Sequence, residues 1–154
     1  LPVAVAEPTN IMARGGMHVG SCLAGISFLK GLGLVHAISH MVGAEFNTHH
    51  GNTNAILLPV VLRFNLPGME EKVRRMAEAM QISDHSVAGF IASIEAILDE
   101  IRIPKSLSEI GVPMDCAERI SAKALKDSAA KTNPRSASLD EVRELIETAI
   151  KKAR

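Results

Sequence analysis

The chain is poor in aromatic residues, with no tryptophan, no tyrosine and only four phenylalanines in 154 residues. Proteins that bind single-stranded nucleic acid stack the bases on aromatic rings, so this scarcity argues against that class. The seventeen basic residues equal the seventeen acidic residues in number, so no net positive field favours nucleic acid or an anionic membrane. We therefore expect neither a nucleic-acid partner nor a membrane partner.

Cysteine is also scarce, and long uninterrupted apolar runs are absent. Cys22 and Cys116 are far apart and form no CxxC pair, which favours a reducing, cytoplasmic compartment over a disulfide scaffold. Each apolar run is broken well before the ~20 residues that a membrane-spanning helix needs. The chain starts at Leu1 without a signal-peptide pattern, and we expect it to belong to a longer polypeptide.

Apolar residues recur with a period close to 3.6 along almost the whole chain, and strict alternation is absent. This pattern predicts a single all-α domain of six to eight helices over residues 1–154. The predicted helices cover roughly 9–30, 33–46, 52–65, 73–80, 87–101, 106–111, 113–127 and 139–152. The loosest stretch is DSAAKTNPRSAS, residues 127–138.

Three helices have features of their own. The first carries one apolar stripe, formed by Met12, Gly16, Val19, Leu23 and Ile26. The second, 33–46, is apolar nearly all round, which is typical of a helix in the centre of a domain. The third contains Pro59, which removes a backbone donor and predicts a kink. Ser138 and Glu141 have the spacing of a capping box at the start of the last helix.

Four of the six histidines lie in HAISHMVGAEFNTHHG, residues 36–51. His36 and His40 are one helical turn apart, about 6 Å along the axis and about 40° around it, so both rings leave the same face. A buried imidazole without a partner costs roughly 1–3 kcal/mol, so hydrogen bonds or a metal must satisfy these rings. Spacing alone indicates His36 and His40 as a pair of metal ligands. It is equally compatible with histidines that lie in the core and in a turn and bind no metal.

The segment lacks the remaining parts of a complete metal site. No glutamate stands in an HExxH pattern, which disfavours a zinc peptidase. Catalytic metal sites commonly use three protein ligands, and the only carboxylate in this segment is Glu45. A complete site would need ligands from elsewhere.

Residues 31–65, GLGLVHAISHMVGAEFNTHHGNTNAILLPVVLRFN, closely resemble the second conserved block of the iron-containing (metal-dependent, group III) alcohol dehydrogenases. The match holds throughout the block, in this order: G-x-G-x-x-H, a His one turn later, Gly, H-G-x-x-N-A-I-L-L-P and a final Asn. The similarity continues in MARGGMHVGSCLAGISF upstream and in IPKSLSEIGV and DSAAKTNPR downstream. The resemblance thus covers nearly all of the chain.

The resemblance implies a fold and a set of site residues. Members of that family have an N-terminal α/β dinucleotide-binding domain and an all-helical C-terminal domain, an architecture shared with glycerol dehydrogenases and dehydroquinate synthases. This chain resembles the helical domain alone, without the dinucleotide-binding domain. An Asp and a His from earlier in the family sequence, together with His36 and His50, would hold one divalent metal. His40 would lie beside the nicotinamide and the substrate, as a catalytic and cofactor-binding residue.

The implied activity is hydride transfer between a small alcohol or aldehyde and NAD or NADP, with Fe²⁺ or Zn²⁺ as Lewis acid. His40 would relay the proton, and Asn47, Gly51 and Asn54 would shape the turn that orients His50. His49 is interpreted as a turn residue. Since the upstream ligands and the glycine-rich pyrophosphate loop are absent, we expect the isolated chain to be inactive.

A rival interpretation belongs to another class of protein. The chain could act as a helical assembly or interaction module, with apolar faces against a partner and histidines satisfied within the core. In the family that this chain resembles, the active site lies in a cleft between the two domains. Removal of the N-terminal domain would expose one wall of that cleft, and such a surface favours a homo-oligomer. Metal titration of histidine variants separates the two interpretations.

Overall fold

The computed structural model describes all 154 residues, and they form helices and turns without any strand. The α-helices are α1 Pro2–Ala6, α2 Ile11–Ser27, α3 Gly33–Phe46, α4 His50–Asn65, α5 Glu70–Ala79, α6 Val87–Glu100, α7 Ala117–Ala124 and α8 Leu139–Lys152. Short 3₁₀ segments cover Phe28–Lys30, Ser108–Ile110, Met114–Cys116 and Ser128–Thr132. The prediction of an all-α fold with six to eight helices is confirmed.

The structure contains two elements that the sequence does not predict. Helix α1 was not predicted, because five residues with no buried side chain leave no periodic signal. The loosest stretch contains a 3₁₀ turn, which Asp127 caps by accepting a hydrogen bond from the backbone N–H of Ala129 at 2.7 Å. Pro59 lies inside α4, which is continuous from His50 to Asn65, and the kink at this residue stays a prediction.

The main core contains 21 buried residues and lies between α3, α4, α7 and α8. Helix α3 is its central element, and Leu34, Ala37, Ile38 and Val42 are all at most 1% exposed. Burial of an aliphatic side chain of this size contributes roughly 1.5–3 kcal/mol. The prediction that residues 33–46 form a buried central helix is therefore confirmed. A smaller cluster packs α5 against α6.

The N-terminus of α3 is capped by residues about a hundred positions further along the chain. Thr132 Oγ1 accepts hydrogen bonds from the N–H groups of Leu32 (3.1 Å) and Gly33 (3.3 Å). Asn133 Oδ1 accepts one from Leu34 N–H at 3.1 Å. The side chain of Asn133 also exchanges amide hydrogen bonds with Asn65 at the end of α4. These contacts satisfy backbone donors that a helix start leaves unpaired, and they fix α3 against α4.

Helix α2 makes its main contacts with α1 and with the 3₁₀ turn that follows it, and none of its residues is buried. Its predicted stripe is exposed to solvent, with Met12 85%, Val19 63% and Leu23 63% accessible. No single helix is long and apolar enough to cross a membrane. Only Ile11–Lys30 and Gly33–Phe46 taken together, bent by 101°, meet the length and composition of a span.

Candidate metal centre

Helices α3 and α4 bring three imidazoles together at their junction. Asn47 adopts a left-handed conformation (φ 51°) and ends α3, and α4 begins three residues later at His50. His49 caps α4, its Nδ1 accepting a hydrogen bond from the N–H of Asn52 at 3.3 Å. The short turn therefore returns His50 to the face of α3 that carries His36 and His40.

The three ring centroids form a nearly equilateral triangle. They lie 5.8 Å apart for His36 and His40, 5.4 Å for His36 and His50, and 5.6 Å for His40 and His50. Phe28, from the turn after α2, meets the ring of His36 edge-on at 6.0 Å. The four rings form a small aromatic cluster at the open end of the core.

The Nε2 atoms of His36 and His50 converge on one point. The side-chain nitrogen of Asn54 lies 3.3 Å from His36 Nε2 and 3.0 Å from His50 Nε2, so a single amide group meets both ring nitrogens. The amide oxygen of Asn54 is buried and has no hydrogen-bond partner. Two imidazole nitrogens directed at a shared position form the kind of donor pair that Fe²⁺ or Zn²⁺ accepts.

The second ring nitrogen of His50 is also engaged. His50 Nδ1 lies 2.9 Å from Ser39 Oγ, which is one turn away from His36 and fully buried. Histidines that bind metals usually hydrogen-bond through their other nitrogen, because this fixes the ring orientation and the tautomer. The local geometry of His50 therefore fits a metal ligand.

The pKa of His36 is lowered, mainly by burial and then by the nearby His50 and His40 rings. A lowered pKa favours the neutral imidazole, which is the form that binds metals. The environment of His36 therefore favours a metal ligand over a charged surface group.

His40 belongs to the cluster but is oriented differently. Its Nδ1 lies 3.0 Å from Asp127 Oδ2, and its ring is stacked nearly parallel to that of His50, at 13°. Nitrogen lone pairs lie in the plane of an imidazole, so two parallel stacked rings cannot both point at one ion. His36 and His50 thus share one side-chain partner, Asn54, whereas His40 has a different partner, Asp127.

The chain does not contain a complete metal site. No group of three or more His, Cys, Asp or Glu side chains is arranged to hold an ion. Glu45 is engaged with Lys123, at 3.1 Å, and with Arg119. His18 and His85 are exposed residues outside the cluster.

Sequence reasoning missed two polar neighbours of the histidines, Ser39 and Asp127. Ser39 stands among apolar residues of α3, where no pattern distinguishes it. Asp127 opens the DSAAKTNPR motif, so the resemblance includes it, but nothing in the local sequence connects it to a histidine 87 positions earlier.

Residues 1–150 match the family model described as "Fe-containing alcohol dehydrogenase family, C-terminal". The chain belongs to this family. The family predicted from the histidine block is therefore confirmed.

Relatives within the Fe-containing alcohol dehydrogenase family are longer proteins. The chain is 38% identical over 161 residues to 1-propanol dehydrogenase PduQ of Salmonella typhimurium, a match that covers 96% of this chain and 43% of that protein. It is 34% identical over 157 residues to the NAD-dependent methanol dehydrogenase of Bacillus methanolicus, covering 97% and 41%. The chain thus spans about two fifths of the length of these curated relatives.

Solved structures of the family share the fold. The crystal structure of a 1,3-propanediol oxidoreductase superposes with a TM-score of 0.92 at 36% identity, covering 97% of this chain and 41% of that one. An alcohol dehydrogenase from Oenococcus oeni gives a TM-score of 0.90 at 29% identity, covering 96% and 40%. The helical arrangement described above is therefore that of an iron-type alcohol dehydrogenase C-terminal domain.

Proposed function

We propose that this chain supplies two ligands, His36 and His50, to a divalent-metal site in an NAD(P)-dependent alcohol dehydrogenase. The observation that carries this proposal is the convergence of the two Nε2 atoms on the Asn54 side chain. The relatives named for propanol and methanol dehydrogenation support a small alcohol or aldehyde as the substrate.

The proposed site needs groups that this chain does not provide. Because catalytic metal sites commonly use three protein ligands, at least one ligand besides the two imidazoles must come from another part of a longer polypeptide. The dinucleotide-binding domain must come from there as well. When bound, Fe²⁺ or Zn²⁺ supplies Lewis acidity toward the alcohol oxygen, and NAD or NADP takes up the hydride. We therefore expect no turnover from residues 1–154 alone.

The residues of this chain hold the reacting groups and receive the proton. His50 is oriented by Ser39, and Asn54 is placed to meet both Nε2 atoms. His40 stands beside them and accepts the proton of the alcohol hydroxyl, while the electron pair of the broken O–H bond stays on the oxygen.

Metal titration of the 154-residue chain tests the ligand assignment. Calorimetry with Zn²⁺, or with Fe²⁺ under anaerobic conditions, should show weak binding that His36→Ala and His50→Ala each abolish. His49→Ala is the matched control, because the His49 ring caps α4 and shares no hydrogen-bond partner with His36 or His50. Equal affinity in wild type, His36→Ala and His50→Ala would refute the assignment, and NAD-dependent alcohol oxidation by the chain alone would refute the expected inactivity.

A second candidate function is assembly, which the exposed apolar face of α2 favours. Val19, Leu23 and Ile26 are each more than 60% accessible, and contiguous apolar surface of this kind promotes association. In this alternative, a second copy of the chain covers α2 and the histidines are satisfied by their hydrogen bonds alone. Light scattering of wild type and Leu23→Asp distinguishes the candidates, since assembly requires a wild-type dimer that the aspartate disrupts.

A further inference from the structure

His40 carries a partner of its own, supplied from the other end of the domain. Its Nδ1 lies 3.0 Å from Oδ2 of Asp127, which begins the 3₁₀ turn Ser128–Thr132. The other carboxylate oxygen of Asp127 accepts the N–H of Ala129 at 2.7 Å. Both oxygens are therefore engaged, and the carboxylate is held in one orientation relative to the ring.

The charge state of Asp127 decides what it can do to the ring. The N–H of Ala129, and more weakly His40, lower the pKa of the Asp127 carboxyl and keep it ionised. An ionised carboxylate only accepts hydrogen bonds, so Nδ1 of a neutral His40 must carry the proton. In that tautomer Nε2 has a free lone pair.

The Nε2 atom of His40 is open to a ligand. It makes no hydrogen bond within the protein, and the only buried side-chain polar atom without a partner is Oδ1 of Asn54. The ring as a whole is about one third accessible. This nitrogen is therefore free of protein partners, on a ring that lies beside the rings of His36 and His50.

The turn that carries Asp127 is attached to α3 at two places. Asp127 binds His40 in the middle of the helix, and Thr132, five residues later, caps the helix start through Leu32 and Gly33. These two contacts hold the turn, and with it the Asp127 carboxylate, against the helix that carries His40.

We propose that Asp127 is a positioning residue that fixes His40 as the Nδ1–H tautomer and so presents Nε2 as the proton acceptor of the site. The proposal rests on the proposed function for the origin of the proton, an alcohol hydroxyl. The O–H bond breaks with its electron pair left on oxygen, an N–H bond forms at Nε2, and Asp127 stays ionised and stabilises the imidazolium.

The tautomer of His40 can be measured without metal, cofactor or turnover. Long-range ¹H–¹⁵N correlation spectra of the chelator-treated 154-residue protein, recorded at alkaline pH where the rings are neutral, distinguish Nδ1–H from Nε2–H. The His40 signals are assigned by their loss in His40→Gln. We expect Nδ1–H to dominate in wild type and the Nδ1–H to Nε2–H ratio to fall about tenfold in Asp127→Ser, because the charged acceptor is lost.

The variants separate orientation from folding. Asp127→Ser keeps a cap for the N–H of Ala129, but the shorter serine side chain does not reach His40. If Asp127→Ser does not fold, the measurement is made on Asp127→Asn, whose side chain also caps the turn. Thr132→Val is the control, which should lower stability without changing the tautomer of His40. Nε2–H as the dominant form in wild type, or an unchanged ratio in folded Asp127 variants, would overturn the proposal. Equal metal affinity of wild type, His36→Ala and His50→Ala in the titration above would refute only the proposed function.

Discussion

Gly31 lies against Thr132 so closely that a Cβ on the glycine would come within 2.2 Å of the Thr132 Cβ. Gly31 also has φ +95°, a conformation that residues with a side chain rarely adopt. The glycine ends the turn after α2, and Thr132 caps the start of α3 from the other side. The close approach therefore sets the position of the helix that carries His36 and His40.

We expect Gly31→Ala to destabilise the protein. The positive φ alone costs roughly 1–3 kcal/mol, and the contact with Thr132 adds to it because the threonine is held by its own hydrogen bonds. Urea denaturation followed by circular dichroism measures the free energy of unfolding. Gly16→Ala on α2 is the control, since nothing lies within 4 Å of its new Cβ and alanine favours a helix by about 0.5–1 kcal/mol. Equal stability of wild type and Gly31→Ala would contradict the expectation.

The Asn54 side chain lies where the Nε2 atoms of His36 and His50 converge, with its amide nitrogen 3.3 Å and 3.0 Å from them. A carboxylate at this position would share one ion with both imidazoles, because ligand atoms bound tetrahedrally at ~2.1 Å from an ion are about 3.4 Å apart. Asn54→Asp would therefore complete a set of two imidazoles and one carboxylate. We expect the Zn²⁺ affinity to rise by about tenfold or more, measured by calorimetry.

Asn52→Asp provides the matched control for this substitution. It adds the same charge two residues earlier on α4, at a position whose side chain makes no hydrogen bond to the histidines. Its Zn²⁺ affinity should stay close to wild type. If both aspartate variants bind Zn²⁺ equally, the point of convergence is not a metal position.

Glu45 links α3 to α7 in a pH-dependent way. Hydrogen bonds from Lys123 and then Arg119 lower the pKa of the Glu45 carboxyl in the folded protein. The ionised carboxylate therefore stabilises the fold above the usual glutamate pKa of ~4.3, and this contribution is lost as the pH falls through the lowered value. Glu45→Gln should be less stable than wild type near neutral pH, and the difference should shrink in acid.

Urea denaturation at several pH values checks this behaviour. Glu144→Gln is the control, because Glu144 is exposed and has no ion-pair partner, so its effect should be small at every pH. A Glu45→Gln difference from wild type that is the same at neutral and acidic pH would show that the ion pairs do not carry the effect.

Much of the fold can be predicted from the sequence because helices are local. The apolar period of 3.6 predicts all the helices of the core, and the Ser138 and Glu141 spacing predicts the capping box that starts α8. The same period predicts α2 but not its exposure, since periodicity shows that a helix has an apolar face and does not show what covers it. Helix α1 is too short to carry a pattern at all.

The sequence by itself determined the helical class, the central position of α3 and, through its resemblance to a family, which histidines to consider. Only the tertiary structure decided how their nitrogens are directed: His36 and His50 toward Asn54, and His40 toward Asp127. The physical reason is that helix periodicity depends on residues three or four apart, whereas a hydrogen bond across 87 positions leaves no local trace in the chain.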